Sequence, residues 1–147
     1  MSVSRLSSET LHASTVAIEG RAVLISGPSG SGKSDLALRL LDRGFSLVSD
    51  DQTLIRREAG RVVASPPPTI AGKLEIRGIG IVEMDNLTDV PVALLVELTS
   101  DIQRMPDDSR ERPILGIPLP LVSIDATAAS APSKVAIALD RMGLKFQ

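Results

Sequence analysis

Hydrophobic residues along this chain fall into short blocks separated by glycines and charged pairs. Residues 15–19 carry Val16 and Ile18 two apart, and residues 21–26 are mostly apolar; Glu19-Gly20-Arg21 between them predicts a tight turn joining two strands. Residues 34–43 place Leu36, Leu40 and Leu41 on one face of a helix, which Gly44 caps. Residues 45–49 form the next strand and end at Asp50-Asp51. Residues 53–56 and 61–64 flank Glu58-Ala59-Gly60 as a second hairpin, and Pro66-Pro67-Pro68 ends regular structure there. In residues 72–82 glycines interrupt apolar pieces, which predicts irregular backbone of the kind functional loops use. Residues 92–98 are a near-continuous apolar run, the pattern of a strand buried on both faces. Residues 101–112 are polar and predicted to be exposed. Residues 115–124 are apolar but broken by Pro118 and Pro120, which suits an edge strand. Residues 132–142 close the chain as a helix with Val135, Ala138, Leu139 and Met142 inward and Gly143 as its cap. Strands outnumber helices too strongly for a regular βαβ alternation. The expected fold class is α/β in the form of a mixed α+β sheet, flanked by short helices, in a single domain over residues 1–147.

Composition narrows the function classes. The net charge is −2 and no basic block is present, which disfavours nucleic acid and anionic membrane as partners. Two phenylalanines are the whole aromatic content, so single-stranded nucleic acid finds almost no stacking platform. The absence of cysteine excludes disulfides, thiolate zinc sites and cysteine nucleophiles. No apolar run approaches 18 residues and the N-terminus has no apolar core of a signal peptide, so the expectation is a cytoplasmic protein with no membrane span.

Candidate chemistry concentrates in Gly27-Pro28-Ser29-Gly30-Ser31-Gly32-Lys33-Ser34, which matches the Walker A pattern G-x-x-x-x-G-K-[ST] at every required position. Glycines there let the backbone turn its N–H groups toward phosphate oxygens. Lys33 reaches the outer phosphates as a point charge, and the Ser34 hydroxyl suits a Mg²⁺ ion bridging them. The predicted strand before the loop and helix after it put a helix N-terminus behind the phosphates. The aliphatic composition predicts weak selectivity for the nucleotide base. A GTPase reading is poor. N-K-x-D is absent, and the one D-x-x-G, Asp140-Arg141-Met142-Gly143, stands at a helix end near the C-terminus.

Four stretches taken together, His12-Ala13-Ser14, the P-loop, Leu47-Val48-Ser49-Asp50-Asp51 and Leu74-Glu75-Ile76-Arg77-Gly78-Ile79-Gly80-Ile81, resemble the C-terminal domain of bacterial HPr kinase/phosphorylase. The resemblance runs over roughly residues 10–140, and the L-E-I-R-G-x-G-I stretch is its most specific piece. It implies a P-loop fold similar to phosphoenolpyruvate carboxykinase. It also implies an ATP-dependent protein serine kinase whose substrate is HPr, the small phosphocarrier of the bacterial sugar phosphotransferase system, and a homo-oligomer, usually a hexamer. Family members usually carry a further N-terminal domain, so this chain is expected to be a short form.

Residue roles follow from the match. Residues 27–33 would hold the β- and γ-phosphates, and Ser34 and Glu75 would hold Mg²⁺. Asp51, the second of the Asp-Asp pair, would accept the proton of the substrate serine; two adjacent carboxylates near phosphates repel each other, which makes one a better proton acceptor. Asp50 would support it through the metal or as a strand-end cap. His12, the only histidine, would sit beside Asp51, and Arg104 would stabilise charge on the γ-phosphate. Arg77 would position the substrate or a neighbouring subunit. Asp35 stands where the family often has Glu. The family's basic loop resembling P-V-R-P-G-R is missing; residues 117–127 contain no Arg. That loop is tied to phosphorolysis of phosphoserine-HPr, so the reverse reaction is expected to be weak or absent. Two rival readings share these residues: a small-molecule P-loop kinase, and a nucleotide-binding regulatory module without transfer activity.

Overall fold

The computed structural model of the chain describes residues 7–102 and 110–146. In chain order the elements are β1 (Ser8–Leu11), β2 (Ala13–Ile18), β3 (Arg21–Ser26), α1 (Lys33–Leu41), β4 (Ser46–Ser49), β5 (Thr53–Glu58) and β6 (Arg61–Ser65). A 3₁₀ turn at Pro68–Ile70 leads to β7 (Lys73–Ile76), β8 (Gly80–Glu83), β9 (Val90–Leu98), β10 (Arg110–Ile114), β11 (Ile117–Ile124) and α2 (Ala131–Met142). This is the expected mixed α+β architecture.

Nine strands make one sheet, with β3 and β9 at its centre. β3 runs parallel to β9, with Ser26 opposite Glu97, and antiparallel to β2, with Ser26 opposite Ala13. β2 carries β4 on its other side. β9 takes β11 in parallel over Leu95–Leu98, and its first residues pair with β6, which leads out through β5 to β1. Three hairpins turn on the pairs Glu19-Gly20, Ala59-Gly60 and Leu115-Gly116, each with both residues at positive φ. That conformation matches the right-handed twist of the flanking strands.

The sheet buries two faces, which explains why β9 is apolar almost without interruption. On one face Val23, Ile25, Leu94 and Val96 meet Leu36, Ala37 and Leu40 of α1 and Ala131, Val135 and Leu139 of α2. On the other, Leu24, Leu95, Leu119 and Leu121 meet Ile55, Val62 and Ala64 of the β5–β6 arm. Both helices therefore lie on one face, and the folded-over arm covers the other. A fully buried leucine such as Leu36 or Leu40 contributes on the order of 2 kcal/mol.

Three expectations need correction. β11 is internal, between β9 and β10. Pro118 and Pro120 sit opposite Pro113 and Glu111 of β10, and pairing with β9 starts only at Leu121, beyond both prolines. Residues 72–82 form the regular β7–β8 hairpin, a two-stranded sheet of its own. The exposure expected of residues 101–112 largely holds for those described, and Arg110–Arg112 among them open strand β10. Met142 is 46% exposed, because the chain turns at Gly143 and sends Leu144 inward; the Leu144 N–H donates to the Ala93 carbonyl at 2.9 Å. Gly143 is the C-cap as expected, its N–H donating to the Ala138 and Leu139 carbonyls, although at φ −65° rather than in the left-handed form. It is required by space, since a Cβ there would lie 2.6 Å from the Leu139 carbonyl oxygen. Gly44, at φ 97°, does take the left-handed form expected at a helix C-terminus.

Candidate active site

The P-loop leaves β3 at Ser26 and enters α1 at Lys33, as the strand–loop–helix pattern requires. Gly30 and Gly32 have φ 80° and 100°, conformations that other residues rarely adopt. Gly27 is needed for close approach: a Cβ there would fall 2.6 Å from Ser31 Oγ and 3.1 Å from Leu98 Cβ. Lys33 is buried, and its Nζ donates to the carbonyls of Gly27 and Pro28 at 2.9 and 3.1 Å. The ammonium is thus fixed inside the arch of its own loop. The N-terminus of α1 has no side-chain cap. Its first-turn N–H groups, which an uncapped helix leaves without partners, face the loop where an anion is best accommodated.

The second part of the site comes from the ends of β2 and β4. Asp50 is 6% exposed and accepts three hydrogen bonds. Ser34 Oγ donates to its Oδ1 at 2.6 Å, Ser14 Oγ donates to the same oxygen at 2.9 Å, and the Glu75 N–H reaches Oδ2 at 3.2 Å. One carboxylate therefore ties the P-loop helix, strand β2 and strand β7 together. Ser14 Oγ also accepts the Asp51 N–H at 3.0 Å. Asp51 has φ 67°, in the left-handed region, and the Gln52 N–H closes onto the Asp50 carbonyl across it at 2.7 Å. This turn sends the neighbouring carboxylates different ways, Asp50 into the protein and Asp51 out into the open. His12 Nε2 lies 2.9 Å from Asp51 Oδ1, and the two side chains are 51% and 61% exposed. An ionised carboxylate only accepts, so the pairing calls for the Nε2–H form of the ring.

A cavity of about 590 Å³ opens over these groups, and Lys33, Ser34, Asp51 and Glu75 share its wall with Gly30 and Gly32. The structure thus brings His12, residues 27–34, Asp51 and Glu75 to one place. Arg104 lies outside the described residues. Asp50 and Ser14 matter more than the sequence alone suggested. The available signal was a polar Ser14-Thr15 pair inside a strand whose neighbours are all apolar; both are fully buried. Among the described residues no three His, Asp or Glu side chains form a ready metal cage. The donors present are the hydroxyl of Ser34 and the carboxylates of Asp50 and Glu75. They are hard oxygen ligands on one side of a phosphate cradle, a set that fits Mg²⁺, which usually takes one or two carboxylates and completes its shell from phosphates and water.

Outside the cavity, Glu97 at the end of β9 binds Arg112 at 2.8 Å and Arg110 at 3.5 Å. The Arg112 hydrogen bond holds its carboxyl below the usual range. Arg39 of α1 donates to the carbonyls of Ala126 and Ala128, fastening the loop after β11 against the P-loop helix.

Comparison with known proteins places this geometry in a family. The family model described as HPr Serine kinase C-terminal domain matches residues 4–141. An HPr kinase/phosphorylase of Clostridium botulinum is 35% identical over 133 residues, which cover 82% of this chain and 44% of that protein. One of Latilactobacillus sakei is 36% identical over 128 residues, covering 78% and 41%. The chain therefore spans less than half the length of these curated relatives. The solved structure of the HPr(Ser) kinase/phosphatase from Coxiella burnetii superposes with a TM-score of 0.79 at 29% identity, over 90% of this chain and 88% of that one. With the P-loop, the Asp50-Asp51 pair and the β7 strand held in one site, the chain belongs to the family of the HPr serine kinase C-terminal domain.

Proposed function

We propose that the chain is an ATP- and Mg²⁺-dependent protein serine kinase whose substrate is HPr or an HPr-like carrier. One observation carries the reading: the buried Lys33 of the P-loop and the exposed Asp51, which His12 contacts at 2.9 Å, line one cavity. The backbone N–H groups of residues 27–33 and the Lys33 ammonium hold the β- and γ-phosphates. Ser34 and Glu75, with Asp50 behind Ser34, would hold Mg²⁺, which would supply neutralisation of phosphate charge. Asp51 accepts the proton of the acceptor serine as its oxygen bonds to the γ-phosphorus and the bond to the bridging oxygen breaks, releasing ADP. His12 holds Asp51 in place through the 2.9 Å contact. A base that is 61% exposed on a left-handed turn suits a hydroxyl presented by a protein better than one enclosed with a metabolite.

Phosphorolysis is weak in this reading. Residues 117–127 bring no Arg, and Arg39, Arg110 and Arg112 are engaged elsewhere, Arg39 on loop carbonyls and Arg110 and Arg112 on Glu97. A homo-oligomer, a hexamer by family likeness, and a cytoplasmic location belong to the same proposal; among the described residues no helix is long and apolar enough to cross a membrane.

The test is transfer of label from γ-labelled ATP with Mg²⁺ to purified HPr. Labelling by the wild type that is lost in Asp51→Asn supports the kinase and its base together. Bound ATP without labelling by the wild type refutes the proposal. Incubation of phosphoserine-HPr with inorganic phosphate tests the reverse reaction, and rapid pyrophosphate release would overturn that part.

A further inference from the structure

The β7–β8 hairpin presents two isoleucines that stand exposed among the described residues. Ile79 is 74% and Ile81 68% exposed, the highest values among the exposed large hydrophobic residues. Their placement is set by register. Leu74 opposes Val82, and Leu74 is fully buried, so that face of the hairpin looks into the protein. Glu75 opposes Ile81 on the other face, and directly opposed residues stand about 5 Å apart at Cβ. Ile81 therefore borders a carboxylate of the cavity wall. Ile79 stands in the turn beside Arg77, which also lines the cavity. Gly78 and Gly80, at φ 88° and 116°, hold the turn's shape by their own backbone conformation, and a Cβ on either would meet open space.

We infer that the β7–β8 tip is the docking element for the acceptor, a folded protein that presents its serine beside an exposed apolar patch. The inference rests on the kinase reading and adds the surface that recognises the substrate. The isoleucines project from a raised hairpin, and a convex apolar tip grips a macromolecular surface whereas small molecules need a concave site. On that face Glu75 and Glu83 are balanced by Lys73, opposite Glu83, and by Arg77 in the turn, so the hairpin carries no net positive charge to draw it to an anionic lipid surface. The acceptor is the occupant whose contact with the tip and access to the cavity are the same event. Asp50, by holding the Glu75 N–H, fixes the hairpin relative to the P-loop, so docking and phosphate positions share one anchor.

The test uses the double variant Ile79→Ser/Ile81→Ser with HPr as acceptor. Expected are a rise of about tenfold or more in KM for HPr, as for loss of interface anchors, with kcat changed less than about threefold. Affinity for ATP and sedimentation mass should match the wild type, and Ile79→Leu/Ile81→Leu should recover most of the KM. An unchanged KM, with the wild type active, overturns the inference. So does a fall in sedimentation mass, which would assign the tip to a contact between copies. If the wild type labels no HPr, the kinase reading itself fails and the docking inference falls with it.

Discussion

Asp50 and Asp51 are neighbours in sequence with opposite environments, and their removal should separate stability from catalysis. Asp50 is buried and accepts from Ser14, Ser34 and the Glu75 N–H. Asn at this position keeps the shape but loses the charge, and its amide must face one side or the other. Turned toward strand β7, the NH₂ meets the Glu75 N–H, donor against donor, and leaves a backbone N–H unpaired. Turned toward the serines, it forces both hydroxyls to rotate and accept, although Ser14 Oγ already accepts from Asp51. Either way a charge-assisted bond is lost or a polar group is stranded, a cost of about 2 kcal/mol. For a chain of this size that lowers Tm by about 4–8 °C. Asp51 is 61% exposed with one side-chain partner, His12. Asp51→Asn should therefore cost below about 1 kcal/mol while reducing phosphate transfer by a factor of about 10² or more, the usual contribution of a positioned base. Thermal unfolding without nucleotide, followed by labelling of HPr from γ-labelled ATP, measures both. An Asp50→Asn protein that melts with the wild type would refute the role of Asp50 as the anchor of three elements. An Asp51→Asn protein that transfers within threefold of wild type would refute Asp51 as the base.

Lys33→Met should weaken ATP binding by about tenfold or more through loss of the phosphate contact, read by isothermal titration; unchanged affinity would show that Lys33 does not leave its loop carbonyls for phosphate. Glu97 has its carboxyl held below the ordinary value of 4.5 by Arg112, so its pairing stabilises the fold above that pH and the contribution is lost as pH falls through the lowered folded value. Acid titration of urea stability should show Glu97→Gln less stable than wild type near neutrality, with the gap closing as the pH falls below the ordinary carboxylate value. A gap that stays constant through the acid range would rule this out. Gly143→Ala should lose about 1–3 kcal/mol in urea unfolding, because the new Cβ would lie 2.6 Å from the Leu139 carbonyl oxygen and 2.8 Å from Arg21 Nη2. Arg21 then cannot keep its bonds to Leu139 and Leu144, and a wild-type unfolding midpoint would refute the account.

Local rules were enough for much of this protein. The P-loop was legible because its chemistry demands fixed residues at fixed spacing, and the Glu19-Gly20 and Ala59-Gly60 hairpins because φ > 0 at two successive positions leaves a signature. The apolar run of β9 announced a strand covered on both faces, and the Asp50-Asp51 pair announced a site. What the chain could not show locally was partnership. β11 reads as an edge strand because of its prolines, yet two different strands share its two halves. Glycines 78 and 80 read as irregular loop, yet they shape the turn of a regular hairpin. Met142 falls on the inward stripe of its helix, yet Leu144 takes the place over the sheet. The two aspartates look equivalent until the turn at Asp51 sends one carboxylate to Ser14 and Ser34 and the other to His12. Sequence fixes which backbone conformations and local chemistries are possible. Burial and hydrogen-bond partners arise between residues 36 to 39 positions apart, as in Ser14–Asp50 and His12–Asp51, and only the tertiary fold brings such residues together.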